Sequence, residues 1–137
     1  MTPQELIALA AEARQQSYCP YSGFAVGAAL LTEDGRVFSG CNIENAAFSP
    51  TLCAERVAVG KAVSEGAHHI AAVAVVGGKK QEPYTICTPC GVCRQVLREF
   101  CADDTPIYLG RADGGFDTYT LAQLLPVSFS PADLEGR

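Results

Sequence analysis

The chain has 137 residues, 48% hydrophobic and 18% charged, a balance that excludes disorder and leaves enough material to bury a core without staples. Its net charge of −5 comes with no run of lysines or arginines, so the footprint of a nucleic-acid binder is missing and a small polar or uncharged substrate fits better. No stretch approaches the roughly 18 consecutive apolar residues of a membrane span, and Met1-Thr2-Pro3-Gln4-Glu5 lacks the basic-then-apolar pattern of an export signal, which predicts a cytoplasmic protein with no membrane partner.

Thr2-Pro3-Gln4-Glu5 supplies an N-cap, a proline at the first helical position and an acid that closes a capping box. The spacing predicts a helix to about residue 16, with Leu6, Leu9, Ala10 and Ala13 on one face. Residues 17–23 form a turn-rich connector, and Cys19 within it has no second thiol or histidine at ligand spacing, so it reads as a bystander. A buried strand over 24–31, a hairpin turn at Glu33-Asp34-Gly35 and a returning strand over 36–42 come next. Antiparallel pairing would bring Phe24 and Asn42 together. Asn42 and Glu44 stand two apart, so in an extended chain they point the same way. Asn can donate and accept, and Glu accepts, which suits the vicinal hydroxyls of a sugar. By spacing alone, a turn with incidental polar residues is the plainer account.

Ser49-Pro50 caps a second helix over 51–66 that stops at Gly66, its Val57, Ala58, Ala62 and Val63 turned toward a sheet. His68-His69 is a loop pair without a third partner and reads as structural or solvated. The continuous apolar run over 70–76 predicts a central strand ending at Gly77-Gly78, followed by a polar loop over 79–85 and a helix over 90–100. Strands over 106–109 and 116–119 and a short capped helix over 120–125 complete the regular elements. The tail over 126–131 is too proline-marked for a helix, and by spacing its Phe129 is an aromatic packed on its own domain. Strands alternating with helices around one apolar run predict a single α/β domain spanning 1–137, with a mixed sheet of about five strands.

Chemistry concentrates in two places, Cys53-Ala54-Glu55-Arg56 and, 37 residues on from the first thiol, Cys90 within Pro89-Cys90-Gly91-Val92-Cys93. The chain has seven cysteines, an odd number, which with no export signal favours metal ligation and buried free thiols over disulfides. Cys53, Cys90 and Cys93 have the order and spacing of the three protein ligands of a catalytic zinc, which leaves its fourth position to water and lowers that water's pKa from roughly 15.7 toward about 7. Both carriers begin as helices, whose first turns favour thiolate over thiol. Glu55 is the non-ligand carboxylate needed to carry the proton. Three thiolates on one divalent cation leave net minus one, so a positive neighbour is wanted. Arg56 and Arg94 could each donate to sulfur or lie solvated on a helix face. Cys87-x-x-Cys90-x-x-Cys93 also permits an iron–sulfur reading, though Leu97 stands where a fourth cysteine would help. A redox pair at Cys90 and Cys93 is a further option, one that leaves Cys53 and Glu55 without a role. A closed, non-catalytic zinc module would take Cys87 or Cys101 as its fourth ligand.

C-A-E-R followed by P-C-G-x-C-R-Q resembles the zinc-dependent cytidine deaminases of the small, single-domain type. The likeness extends from Tyr21-Ser22-Gly23-Phe24 through Asn42-Ile43-Glu44-Asn45-Ala46 to Leu124-Leu125-Pro126 and Phe129. It implies a three-layer α/β/α fold, a bound Zn2+, and hydrolysis of cytidine and 2′-deoxycytidine to the uridine compounds and ammonia, in pyrimidine salvage. It also implies substrate contacts from Phe24, Asn42, Glu44 and Ala54, and so a ribose-bearing substrate rather than a free base. Similar proteins are homotetramers with sites at subunit interfaces. There a tail aromatic matching Phe129 reaches a neighbour's base pocket, and residues matching 46–48 approach the adjoining site. Phe48 is a departure, since that place is often Tyr. The hydroxyl is lost while the packing surface is kept. The runner-up within this chemistry is a deaminase for another aminopyrimidine nucleoside, such as blasticidin S.

Overall fold

The computed structural model describes residues 1–135, and the last two positions of the expected 1–137 domain lie outside the described residues. In chain order the elements are α1 (Pro3–Arg14), β1 (Phe24–Thr32), β2 (Val37–Cys41), α2 (Ala54–Ser64), β3 (Ile70–Lys79), α3 (Gly91–Phe100), β4 (Pro106–Gly110), β5 (Phe116–Thr120), α4 (Leu121–Leu124) and α5 (Pro131–Glu135). The strands form one five-stranded sheet in the order β2-β1-β3-β4-β5. β1 is antiparallel to both β2 and β3, β3 is parallel to β4, and β4 is antiparallel to β5. The sheet is therefore mixed, as the sequence predicts. The parallel step between β3 and β4 is the crossover that carries α3.

Two apolar layers sandwich the sheet because β3 alternates. Ala72, Ala74 and Val76 face Leu6, Ile7 and Ala10 of α1, while Val73 and Val75 face Ala58, Val59 and Ala62 of α2 and Leu97 of α3. A strand covered on both faces reads as a continuous apolar run, and that is how the sequence shows it. The three-layer α/β/α arrangement follows. Two glycines let the helices in. A Cβ at Gly27 would lie 1.9 Å from the Ala10 carbonyl oxygen of α1, and one at Gly40 would lie 2.8 Å from the Ala54 carbonyl oxygen and the Ala58 nitrogen of α2. The capping box forms as predicted, Thr2 and Glu5 each bonding the other's backbone N–H.

The boundaries move where tertiary contacts overrule local signals. α2 starts at Ala54 and not at residue 51, because Leu52 is held extended by paired backbone bonds with Ile43, each 2.9 Å. β3 continues through Gly77 and Gly78, which pair with Val26 and Ala25, to Lys79 opposite Phe24. A Cβ on Gly77 would sit 2.8 Å from Cys87 Sγ, so this glycine gives the Cys87 loop room to lie on the strand. α1 ends at Arg14, two residues short of expectation, and α5 follows the proline-marked tail, opening on Pro131 with a bond from the Ser130 amide to Asp133.

Candidate active site

Cys53 and Cys90 are the N-cap residues of α2 and α3, with extended backbone (φ −76°, ψ 154° and φ −68°, ψ 169°), and neither side chain makes a capping bond. A Ser or Asp there would turn its oxygen back to the helix amides. The thiols instead leave their sulfurs free to face outward. Cys93, one turn into α3, is fully buried. The Sγ atoms of Cys53, Cys90 and Cys93 all lie within 4.8 Å of one another, the one such metal-ligating group among the described residues. Two helix N-termini converge on this point, and their unpaired N–H groups favour negative charge.

The electrostatics follow from the crowding. The Cys53 thiol is pushed down to about 5, chiefly by a hydrogen bond from Cys93, helped by Arg56 and Cys90. Cys93 is held well above the usual thiol range because it gives its hydrogen to Cys53 and is buried. The crowding of three sulfurs thus favours one thiolate and resists the next, a donor set whose further ionisation a divalent cation would assist. Arg56 Nη2 lies 3.5 Å from Cys53 Sγ and 3.2 Å from the Thr51 carbonyl oxygen. Of the two arginines it is the one at sulfur. The other, Arg94, is neither on sulfur nor solvated, for it donates to the carbonyl oxygens of Pro89 and Leu124.

Glu55 is 4% exposed at the start of α2. Burial first, and then the negative charge of Cys53, push its carboxyl up to about 7, against the pull of its own backbone N–H and Arg56. It lines a cavity of about 360 Å³ together with Phe24, Asn42, Glu44, Cys53, Ala54 and Cys90. That volume is in the range that suits a small ligand. Ala54, fully buried, brings to it the first N–H of α2, one of four that a helix leaves without an internal partner. Phe24 is 40% exposed at the mouth.

The polar pair from the sequence is differently employed than its spacing suggests. Asn42 Oδ1 already accepts from the Ser17 hydroxyl and from the Val26 amide at 2.9 Å, and Nδ2 donates to the Phe24 carbonyl at 2.8 Å. The amide is thus tied to the backbone ends of β1, and what it can still offer a ligand is its second N–H. Glu44 accepts from the amides of Tyr21 and Ser22 and from the Ser22 hydroxyl, and these bonds hold its carboxyl below the usual range. It stays an anion with lone pairs to spare.

Phe129 does not join this cavity. It lies 58% exposed beside a separate cleft of about 640 Å³ with Arg98, Asp103 and Leu125, its carbonyl bonded to Gln95. Cys87 lines the catalytic cavity but is not one of the three clustered thiols. Burial, and then the charges of Glu55, Cys53 and Cys90, push it up to about 11. Cys101 caps the far end of α3, roughly 12 Å along the helix from Cys93. Among the described residues the metal-ligating group therefore contains three thiols and no fourth, whereas a closed four-cysteine module or an iron–sulfur ladder calls for four.

Residues 1–109 match the family model of the cytidine and deoxycytidylate deaminase zinc-binding region. The chain belongs to that family. It is 50% identical over 134 residues to a cytidine deaminase of Sporosarcina psychrophila, covering 98% of this chain and 96% of the relative. It is 48% identical over 134 residues to that of Halalkalibacterium halodurans, covering 98% of both. Among solved structures, the cytidine deaminase from Burkholderia pseudomallei superposes with a TM-score of 0.85 at 43% identity, over 94% of this chain and 100% of the other. The deaminase family's matched region includes the three thiols and Glu55 and stops short of Phe129.

Proposed function

We propose that the chain deaminates cytidine and 2′-deoxycytidine hydrolytically, with Cys53, Cys90 and Cys93 holding one Zn2+ and Glu55 carrying protons. The observation that supports this most is three converging sulfurs beside a buried, non-ligating carboxyl, a donor set that fits an open zinc site and leaves Glu55 free for acid–base work. Zinc, when bound, supplies a Lewis acid that brings a water molecule's pKa toward about 7. Glu55, buried and not among the metal-ligating group, would take a proton from the attacking water and give it to ring N3 as C4 is attacked, then take the second proton from the new C4 hydroxyl and give it to the departing amine. Uridine and ammonia result. Arg56 offsets part of the charge of three thiolates. Phe24 packs on the base, the Ala54 region meets its polar edge, and Glu44 with the free N–H of Asn42 receives the ribose hydroxyls.

Phe129 lies away from the cavity of its own chain, which is compatible with its meeting the base of a neighbouring subunit in the homotetramer we propose. The exposed apolar side chains Tyr21, Ile43, Phe48 and Leu52 beside the site support a face that another subunit covers. No described helix is long and apolar enough to cross a membrane, and a cytoplasmic salvage role agrees with a nucleoside substrate. A panel of zinc-loaded assays with cytidine, 2′-deoxycytidine, blasticidin S and deoxycytidylate, read by the change in pyrimidine absorbance, tests the assignment. Turnover of the two simple nucleosides above the others is expected, and turnover of blasticidin S alone would overturn it.

A further inference from the structure

Arg94 and Gln95 follow the last thiol directly, and both reach across to the C-terminal part of the chain. Arg94 Nε donates to the Pro89 carbonyl at 2.7 Å and Nη1 to the Leu124 carbonyl at 2.7 Å, while Gln95 Nε2 donates to the Phe129 carbonyl at 3.0 Å. Neither carbonyl on Arg94 has a helical partner to expect. Pro89 precedes Cys90, whose own oxygen is the acceptor for the Arg94 amide at 2.9 Å, and Leu124 ends a four-residue helix. One planar guanidinium therefore joins two orphaned acceptors, which a lysine ammonium on its flexible stem would not hold in the same geometry.

The three thiols are not equally anchored. Cys93 lies within α3 and is fully buried, and Cys53 and Cys90 are both N-caps without a capping bond, but Cys53 is half-buried with Arg56 at its sulfur, whereas Cys90 is exposed. Its placement depends on the buried Pro89 before it, and Arg94 fixes that residue's carbonyl. We infer that Arg94 is a positioning residue for the metal centre, a brace through which the segment ending at Leu124 sets where Cys90 presents its sulfur. The inference rests on the zinc reading of the thiol cluster.

Arg94→Met and Arg94→Lys test it, with Arg36→Met as the control. Arg36 bonds Asp34 and, at 2.8 Å, the Glu65 carbonyl at the opposite end of α2, so its loss removes a comparable brace far from the thiols. The readouts are zinc transfer to a chromophoric chelator and the thiolate charge-transfer and visible bands of the Co2+-loaded proteins. Arg94→Met should bind zinc about 10- to 100-fold more weakly with altered cobalt bands, and Arg94→Lys should fall between it and the parent. Arg36→Met should match the parent in both readouts, whatever it does to melting. Should Arg94→Met fail to fold, Arg94→Lys, which keeps the charge but not the planar fork, carries the comparison. Zinc affinities and cobalt spectra of the Arg94 variants equal to those of Arg36→Met would overturn the inference while leaving the zinc reading intact. A parent protein that takes up no stoichiometric Zn2+ or Co2+ would overturn both.

Discussion

Cys53 and Cys90 occupy positions where a helix ordinarily wants an oxygen, and the capping bond they forgo is the local cost of aiming sulfur at a metal. Cys53→Ala should therefore lower zinc affinity by more than about 100-fold, since removing a ligand exceeds the roughly 10- to 100-fold cost of losing an outer partner; metal content after chelator challenge measures it. Under the proposed function Asn42 would have a double duty, contacting substrate while it ties down the start of β1. Asn42→Ala should weaken nucleoside binding and also destabilise the fold by about 2–3 kcal/mol, because the buried Ser17 hydroxyl and Val26 amide lose their acceptor. Urea unfolding beside KM reads both, and unchanged stability would return Asn42 to a purely ligand-facing role. At this scale the thiol cluster is legible, because metal ligation forces particular residue types at particular spacings, and Glu55, two residues from the first thiol, lines the same cavity. The bracing by Arg94 was not, since its partners are carbonyls, and every residue but its distance in space makes a carbonyl equally available.

The helices that carry the thiols are placed by glycines in the strands beneath them. Gly40→Ala would drive a Cβ into the backbone of the first turn of α2, the turn that begins at Cys53. It should reduce zinc affinity as well as stability. Gly27→Ala meets α1 still more closely but on the opposite face of the sheet, and so should cost about 3 kcal/mol or more with the metal site of the surviving folded fraction unchanged. Melting curves with zinc titrations on the two variants distinguish the faces. Element types were readable because the caps, the hairpin turn and the apolar run of β3 are local. The start of α2 was not, because the Ile43–Leu52 bridge that delays it joins residues with no mutual signal in sequence. Gly77-Gly78 misled for a related reason. Glycine commonly punctuates a strand, whereas here it makes room for Cys87 inside one.

At the scale of the whole molecule, metal and fold should stabilise each other, since the site draws on α2 and α3 together and exists in the folded chain. With free zinc a thousandfold above its Kd, the linkage is worth about 4 kcal/mol, or on the order of 10 °C in Tm for a chain of this size. Calorimetry before and after exhaustive chelation checks it. Within that folded site, we propose, three thiols hold the metal and a fourth group, Glu55, moves the protons without binding it. The most direct measurement is the rate of cytidine conversion, followed by ultraviolet absorbance, for zinc-loaded parent and Glu55→Ala proteins of equal metal content. The account predicts uridine formation by the parent and a loss of at least about 100-fold in the variant. A zinc-replete Glu55→Ala protein within tenfold of the parent would contradict it.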